Sequence, residues 1–276
     1  MTLDTPRKAS SMPALCGELL ERMRHASPLV QCITNYVAMN YAANVMLAAG
    51  VSPAMVHAPE EAAEFARLAG AVTINIGTLS SPWLEGMRGA AAAANESGRP
   101  WVLDPVAHFA TAFRRTAVED LLALRPTVIR GNASEIMALA GHASAGRGVD
   151  AGDSVEQAEA SATALSRTTQ SVVAVTGAVD FVTDGQQAVR ISGGSTLMPQ
   201  VTAMGCALTC VVGAFAAAAP QDPFLATVAA LACFSVAGTQ AAQESSGPGS
   251  FAWRFIDALA ALDAHRVQTQ ARIVVA

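Results

Sequence analysis

The chain has 276 residues, 52% hydrophobic and 14% charged, with a formal net charge of −5. That length and apolar content suit one large domain built around a fully buried central layer. Scattered arginines on a net acidic chain leave no basic surface for a polyanion, which argues against nucleic acid as a partner.

In chain order, residues 1–11 are polar and charged with no apolar run, so they read as a loose tail, and residues 12–276 as a single domain. Short β-branched runs predict strands at Leu29 to Ile33, Pro53 to His57, Val72 to Ile76, Trp101 to Leu103, Thr127 to Arg130 and Val172 to Thr176, most of them apolar on both faces. Between them, Ala-rich patterns predict helices near 37–49, 59–69, 83–97, 132–140 and 153–168. This is the βαβ rhythm of a mostly parallel sheet covered by helices. Asp184-Gly185 separates two alternating runs between Val179 and Ser192, which predicts an antiparallel hairpin. After Cys206 the chain reads as helical to its end, with breaks at Pro220 to Pro223 and Ser246 to Ser250. The longest apolar run, Cys206 to Ala219, falls short of the roughly 20 residues of a membrane span, so a buried core helix and no membrane are expected. The five cysteines are odd in number, with no CxxC and no Cys/His ligand spacing, which suits reduced thiols in a cytoplasmic protein.

In open α/β sheets the ligand lies beyond the carboxyl ends of the strands, so the residues just after each strand are the informative ones. Here they are Thr34-Asn35, Met55, Gly77-Thr78, Asp104-Pro105, Arg130-Gly131-Asn132 and Thr176-Gly177. Caps and turns use the same residue types, and Asn132 and Gly177 suit those roles; it is the joint occurrence at one sheet edge that points to a site. The segment Val201 to Cys210 adds a turn of small residues that opens an apolar helix, with Gly205 and Cys206 at its start. A helix N-terminus offers unpaired N–H groups and a positive dipole end to an anion.

The one lysine, Lys8, lies in the tail, which excludes a Walker lysine, a kinase strand lysine and a Schiff base. Nucleotide phosphates would therefore fall to backbone N–H groups, to Arg130, and to Mg²⁺ held by Asp104 and Glu135. Such a set suits phosphoryl transfer, where positioning and charge stabilisation dominate. Ordinary packing explains Cys210 as core, Met55 as a strand-end filler and His108 as a capping or core histidine.

Taken together, Val30-Gln-Cys-Ile-Thr-Asn35, Asn75-Ile-Gly-Thr-Leu79, Leu103-Asp-Pro-Val106, Ile129-Arg-Gly-Asn-Ala-Ser-Glu135, Gly148-Val-Asp150, Val175-Thr-Gly177, Gly205-Cys206 and Gly247-Pro-Gly-Ser-Phe251 resemble hydroxyethylthiazole kinase, in order, from about residue 28 to about residue 252. The resemblance implies a ribokinase-like three-layer α/β sandwich, a homotrimer with active sites between subunits, and ATP-dependent phosphorylation of the primary alcohol of 4-methyl-5-(2-hydroxyethyl)thiazole in thiamine salvage. It implies a substrate contact at Met55, ATP contacts at Arg130 and Thr176, acidic magnesium and phosphate positions at Asp104 and Glu135, and pocket-lining positions at Asn35 and Gly77. Gly205 and Cys206 take the catalytic place. Two departures stand out: Ala203-Met204 replaces the family's glycine-rich turn, so the substrate contact falls on Ala203, and Ala107-His108-Phe109 stands where many members have glycines.

A thiol is an indifferent base at neutral pH, so Cys206 is expected to act as a weak base and positioning group beside the N–H groups and Mg²⁺. Two other readings compete. In one, Cys206 is the nucleophile of a hydrolase or acyltransferase, which requires a histidine partner, with His57 or His108 as the only sheet-edge options. In the other, the chain is a non-catalytic thiazole or nucleotide-binding homologue.

Overall fold

The computed structural model describes residues 11–141 and 154–276. The expected tail, apart from Ser11, and the Gly148-Val-Asp150 motif lie outside the described residues. Among the described residues nine strands form one sheet: β1 (Leu29–Ile33), β2 (Ser52–Ala54), β3 (Ala71–Asn75), β4 (Trp101–Asp104), β5 (Val128–Asn132), β6 (Val172–Thr176), β7 (Val179–Thr183), β8 (Ala188–Ser192) and β9 (Arg272–Val275). Their order is β2-β1-β3-β4-β5-β6-β7-β8-β9. The six strands from β2 to β6 run parallel, and β7, β8 and β9 are added antiparallel.

The parallel strands are apolar on both faces because both are covered. On one face lie α1 (Met12–Ala26), α2 (Met39–Ala49), α8 (Met204–Ala218), α9 (Pro223–Gln243) and α10 (Pro248–Ala260), packed on Val30, Cys32, Ala71, Val102, Val128 and Ala174. On the other, α3 (Pro59–Leu68), α4 (Ser81–Glu96) and α5 (Ala112–Ala123) cover Ile33, Val72, Ile74, Trp101 and Leu103. Next to these, α6 (Ala133–Leu139) and α7 (Val155–Thr169) cover Ile129, Val173 and Val175. Successive strand residues thus alternate between two cores, giving the three-layer α/β sandwich. Helix α9 is the one described helix long and apolar enough to cross a membrane, yet 83% of its apolar window is buried inside the protein, which accounts for its composition.

Where the sequence reading and the structure part, the causes are local. β2 ends at Ala54 instead of reaching His57. It is an edge strand paired at three positions with β1, and beyond them the Gln31 side chain takes the Val56 carbonyl. The C-terminal segment is not helical throughout: α11 (Ala264–Gln270) is followed by β9, whose Ile273-Val274-Val275 run pairs with β8. β-Branched residues favour that extended edge over a helix. Helices α1 and α5 had no counterpart in the sequence reading; α5 buries only Ala117, Val118 and Leu121, too thin a stripe to stand out.

One topological feature decides where a ligand binds. From β1 the chain moves outward to β2 and then returns past β1 to β3, so the winding direction reverses between β1 and β3. At such a switch point the carboxyl ends of the strands open a crevice.

Candidate active site

Asn35, just after β1, and Asn75, the last residue of β3, face each other across this crevice. Asn35 Nδ2 donates to Asn75 Oδ1 at 2.8 Å. Both amides also donate to Cys206 Sγ, Asn35 at 3.4 Å and Asn75 at 3.3 Å. Asn75 continues the chain to Asp104 Oδ2 at 2.7 Å, where Thr209 Oγ1 also donates at 2.8 Å. Gly77 is required by contact: a Cβ there would sit 2.6 Å from Asn35 Nδ2.

Helix α8 begins above this network. Its cap residue Ala203 lies in the left-handed region at φ 67°, and no side chain caps the helix. Ala203 therefore adopts the geometry that a glycine would take without strain, and the N–H groups of the first turn face the crevice unclaimed by a side chain. Gly205 is ordinary helix in conformation. Its lack of a side chain matters because a Cβ would meet both terminal nitrogens of Arg130 at 2.8 Å. The terminal edge of the guanidinium thus points at the helix start, donates to Thr176 Oγ1 and reaches Asp104 Oδ2 at 3.5 Å.

Asp104 and Glu135 lie together beneath this arginine. Burial raises the Asp104 pKa against the pull of Arg130, and burial followed by the nearby Asp104 charge raises that of Glu135. Glu135 is also structural: Oε2 accepts from the Asn132 N–H at 2.8 Å and Oε1 from the Ala107 N–H at 3.0 Å, while Asn132 caps α6 in return. Asp104 Oδ1 is buried without a hydrogen-bond partner. Two buried carboxylates thus share one arginine, and one oxygen stands free. That donor set fits a hydrated Mg²⁺, which needs one or two carboxylates together with waters and substrate phosphates. Among the described residues no cluster of three or more His, Cys, Asp or Glu forms an all-protein cage.

Burial and the Asp104 charge push the Cys206 thiol up to about 12. It is fully protonated near neutrality. Among the described contacts neither histidine touches it. His108 is buried, bonds Pro105 O through Nδ1, and has its pKa lowered to about 4 by burial, while His57 bonds Met55 O and packs at a tilt against Trp83 with centroids 4.5 Å apart. The Cys–His pair that a thiol nucleophile requires is missing there.

Of the residues singled out from the sequence, the structure joins Asn35, Gly77, Asp104, Arg130, Glu135, Thr176, Gly205 and Cys206 in one network. Met55 and Ala203 stand outside its hydrogen bonds; Met55 is half-buried just past β2 and packs on the larger core. Three further residues have no role in the sequence reading. Asn75 enters it only as the first residue of a motif, inside an expected strand, and Thr209 looks like helix interior. Asp180 accepts the Gly177 N–H at 2.9 Å and has its pKa raised by burial to about 6, opposed in part by Arg130. Its signal was the Asp three residues after the turn glycine. A separate cavity of about 400 Å³, lined by Arg125, Thr127, Gln170 and Asp184, opens at the opposite, amino end of β5 and β6 and plays no part in this network.

Residues 20–265 match the family model described as "Hydroxyethylthiazole kinase family". The chain belongs to the hydroxyethylthiazole kinase family. A hydroxyethylthiazole kinase of Rhizobium etli (strain CIAT 652) is 71% identical over 258 residues, covering 94% of this chain and all of that one. One of Gemmatimonas aurantiaca is 59% identical, with 94% of each chain covered. The solved hydroxyethylthiazole kinase protein of Pyrococcus horikoshii OT3 superposes with a TM-score of 0.87 at 40% identity, over 95% of this chain and 98% of that one. A Staphylococcus aureus pyridoxal kinase in complex with ADP shares the fold at a TM-score of 0.58 and 17% identity, over 77% of this chain and 87% of that one. This hydroxyethylthiazole kinase family member is thus a phosphotransferase with a ribokinase-like α/β fold.

Proposed function

We propose that this chain transfers the γ-phosphoryl group of ATP, with Mg²⁺, to the primary hydroxyl of 4-methyl-5-(2-hydroxyethyl)thiazole in thiamine salvage. The observation that carries the reading is the uncapped start of α8, with the terminal edge of Arg130 against Gly205 and Cys206 held by two asparagine amides. An anion has unclaimed N–H groups and a guanidinium on one side, and an alcohol has a polar floor on the other.

Arg130 and Thr176 bind the ATP phosphates, and Asp104 with Glu135 holds the metal. When bound, Mg²⁺ neutralises charge on the phosphates. Met55, Gly77 and the turn at Ala203 line the substrate side. The thiol of Cys206 keeps its proton, so it orients the alcohol oxygen rather than removing its proton at rest. In a loose transition state the alcohol loses its proton late, to an oxygen of the transferred phosphoryl group or to solvent, and little base strength is needed. Orientation by Asn35, Asn75 and Cys206 and the electrostatics of the helix start therefore carry the rate.

The assembly we propose is a homotrimer with active sites between subunits, in the cytoplasm. Tyr36 and Val37, directly after Asn35, are exposed, as are Leu47 on α2 and Trp253 on α10, and Tyr41 Oη ties these helices through Ala252 O. This apolar surface beside the crevice supports the assembly, and light scattering measures it. The activity is tested by coupled ADP release with Mg²⁺ against hydroxyethylthiazole, hydroxymethylpyrimidine, pyridoxal and ribose. Turnover restricted to the thiazole is expected; absence of thiazole turnover overturns the reading.

A further inference from the structure

Arg114, on α5, takes no part in any of the roles above. Its guanidinium nevertheless reaches the strand-end loops from below. Nη1 donates to Ile76 O at 2.8 Å and to Val106 O at 2.9 Å, and Nη2 donates to Gly77 O. It is half-buried, and none of the ion pairs among the described residues includes it. A charge partly removed from water without a carboxylate partner is costly unless its donors find acceptors, and here three of the five N–H groups donate to backbone carbonyls.

The three carbonyls belong to two different walls of the crevice. Ile76 and Gly77 follow β3; the Gly77 N–H donates to Asn75 Oδ1 at 2.9 Å, and Gly77 packs against the Asn35 amide. That wall carries the Asn35, Asn75 and Cys206 cluster. Val106 follows β4, and the next residue, Ala107, donates its N–H to Glu135. That wall carries the carboxylates. A planar fork with fixed N–H directions holds two loops at one spacing, whereas an ammonium on a flexible stem does not.

We propose that Arg114 is a positioning residue that locks the alcohol-side wall to the phosphate-side wall, and so sets the distance over which the phosphoryl group travels. The inference rests on the kinase reading of the site. In-line transfer is sensitive to spacing, and a misplacement of about 1 Å costs roughly a hundredfold in rate.

The test uses the full chain with Arg114→Ala and Arg114→Lys, measuring kcat and KM for both substrates, the thermal midpoint, and hydrogen exchange of the amides around 76–78 and 106–108. Both variants are expected to lose about ten- to a hundredfold in kcat while the KM for ATP changes less than threefold. Millimolar guanidinium should restore part of the kcat of Arg114→Ala and none of that of Arg114→Lys. Wild-type kcat in Arg114→Lys overturns the proposal, as does a loss that merely follows the thermal midpoint. If Arg114→Ala does not fold, the lysine variant decides. Should the wild type not phosphorylate the thiazole, the kinase reading fails, and exchange decides separately: both loops must loosen together in Arg114→Lys, and loosening of one alone overturns the lock.

Discussion

Two helices start at the same sheet edge above the same crevice, and they start differently. Helix α6 opens with a complete capping box: Asn132 accepts from the Glu135 N–H, and Glu135 accepts from the Asn132 N–H. Helix α8 opens on a left-handed alanine with no side-chain cap at all. The first helix satisfies its own donors, so its N-terminus is structure. The second leaves its donors unclaimed by any side chain, as the proposed anion site requires, and an arginine lies against its glycine. A polar residue at a strand end is therefore informative only after one asks whether its helix has already claimed it. Glu135 is claimed twice, by the Asn132 and Ala107 N–H groups, which makes it a support first and a proposed metal position second, whereas the turn before Cys206 has no side-chain cap.

The sharpest way to break this contrast is Gly205→Ala. The new methyl meets the flexible end of Arg130 rather than backbone, so the arginine moves and the fold survives. The expected result is a fall of about a hundredfold in kcat/KM, with most of it in the KM for ATP and an unchanged thermal midpoint. Wild-type kinetics in that variant would remove the anion site from α8.

Next in size is the thiol. Because Cys206 sits near 12, its proton stays on throughout the neutral range. General-base catalysis is worth about a hundred- to ten-thousandfold, so a residue that only orients the alcohol loses much less, about tenfold in kcat for Cys206→Ala. Cys206→Asp should be tolerated, since the Asn35 and Asn75 amides can donate to a carboxylate. The sign of the pH dependence follows from the raised value: thiolate is scarce below about pH 9 and increases tenfold per pH unit. Wild type and Cys206→Ala should therefore share one pH profile between about pH 6 and 9, with slow iodoacetamide labelling that accelerates with pH. A wild-type limb near pH 8 that vanishes in Cys206→Ala would falsify the orienting role.

The capped helix should respond in the opposite currency. Asn132→Ala removes an N-cap and should lower stability by about 1 kcal/mol, read from urea unfolding. Its kcat/KM should change only a few-fold, because Arg130 and the start of α8 stay in place. A large kinetic loss with unchanged stability would reverse the distinction drawn between the two helices.

These residues also mark what could be read from the sequence. The strands were legible because parallel strands buried on both faces are short continuous apolar runs, as Val172 to Thr176 illustrates. Most of the site was legible because the chemistry lies just past those strands: Asn35, Asp104 and Arg130 needed only the rule about carboxyl ends. The roles of Asn75 and Thr209 were not, because they are pairwise: each donates to Asp104 from a different element, and the motif that Asn75 opens does not by itself name that partner. Arg114 was hidden for the same reason, lying on a helix whose own apolar stripe is thin. Strand β9 depends on an edge that only the folded β8 provides.

The smallest expected effect concerns the two turns that depart from the resembled family's glycines. Both alanines stand in the left-handed region, Ala107 at φ 47° and Ala203 at φ 67°. An L-residue there is strained by about 1 to 2 kcal/mol, yet a glycine in its place frees the unfolded chain by roughly 0.4 to 1 kcal/mol. The difference favours glycine, so Ala203→Gly should stabilise the protein by about 0.5 kcal/mol. Since the alanine already places the turn's N–H groups as a glycine would, kcat/KM should stay within about threefold. A clear loss of stability would mean that the Ala203 methyl packs usefully, and a clear gain in kcat would mean that its strain had tilted the start of α8. Either result would make the uncapped helix end depend on its first residue, whereas the geometry assigns that dependence to Gly205 and Arg130.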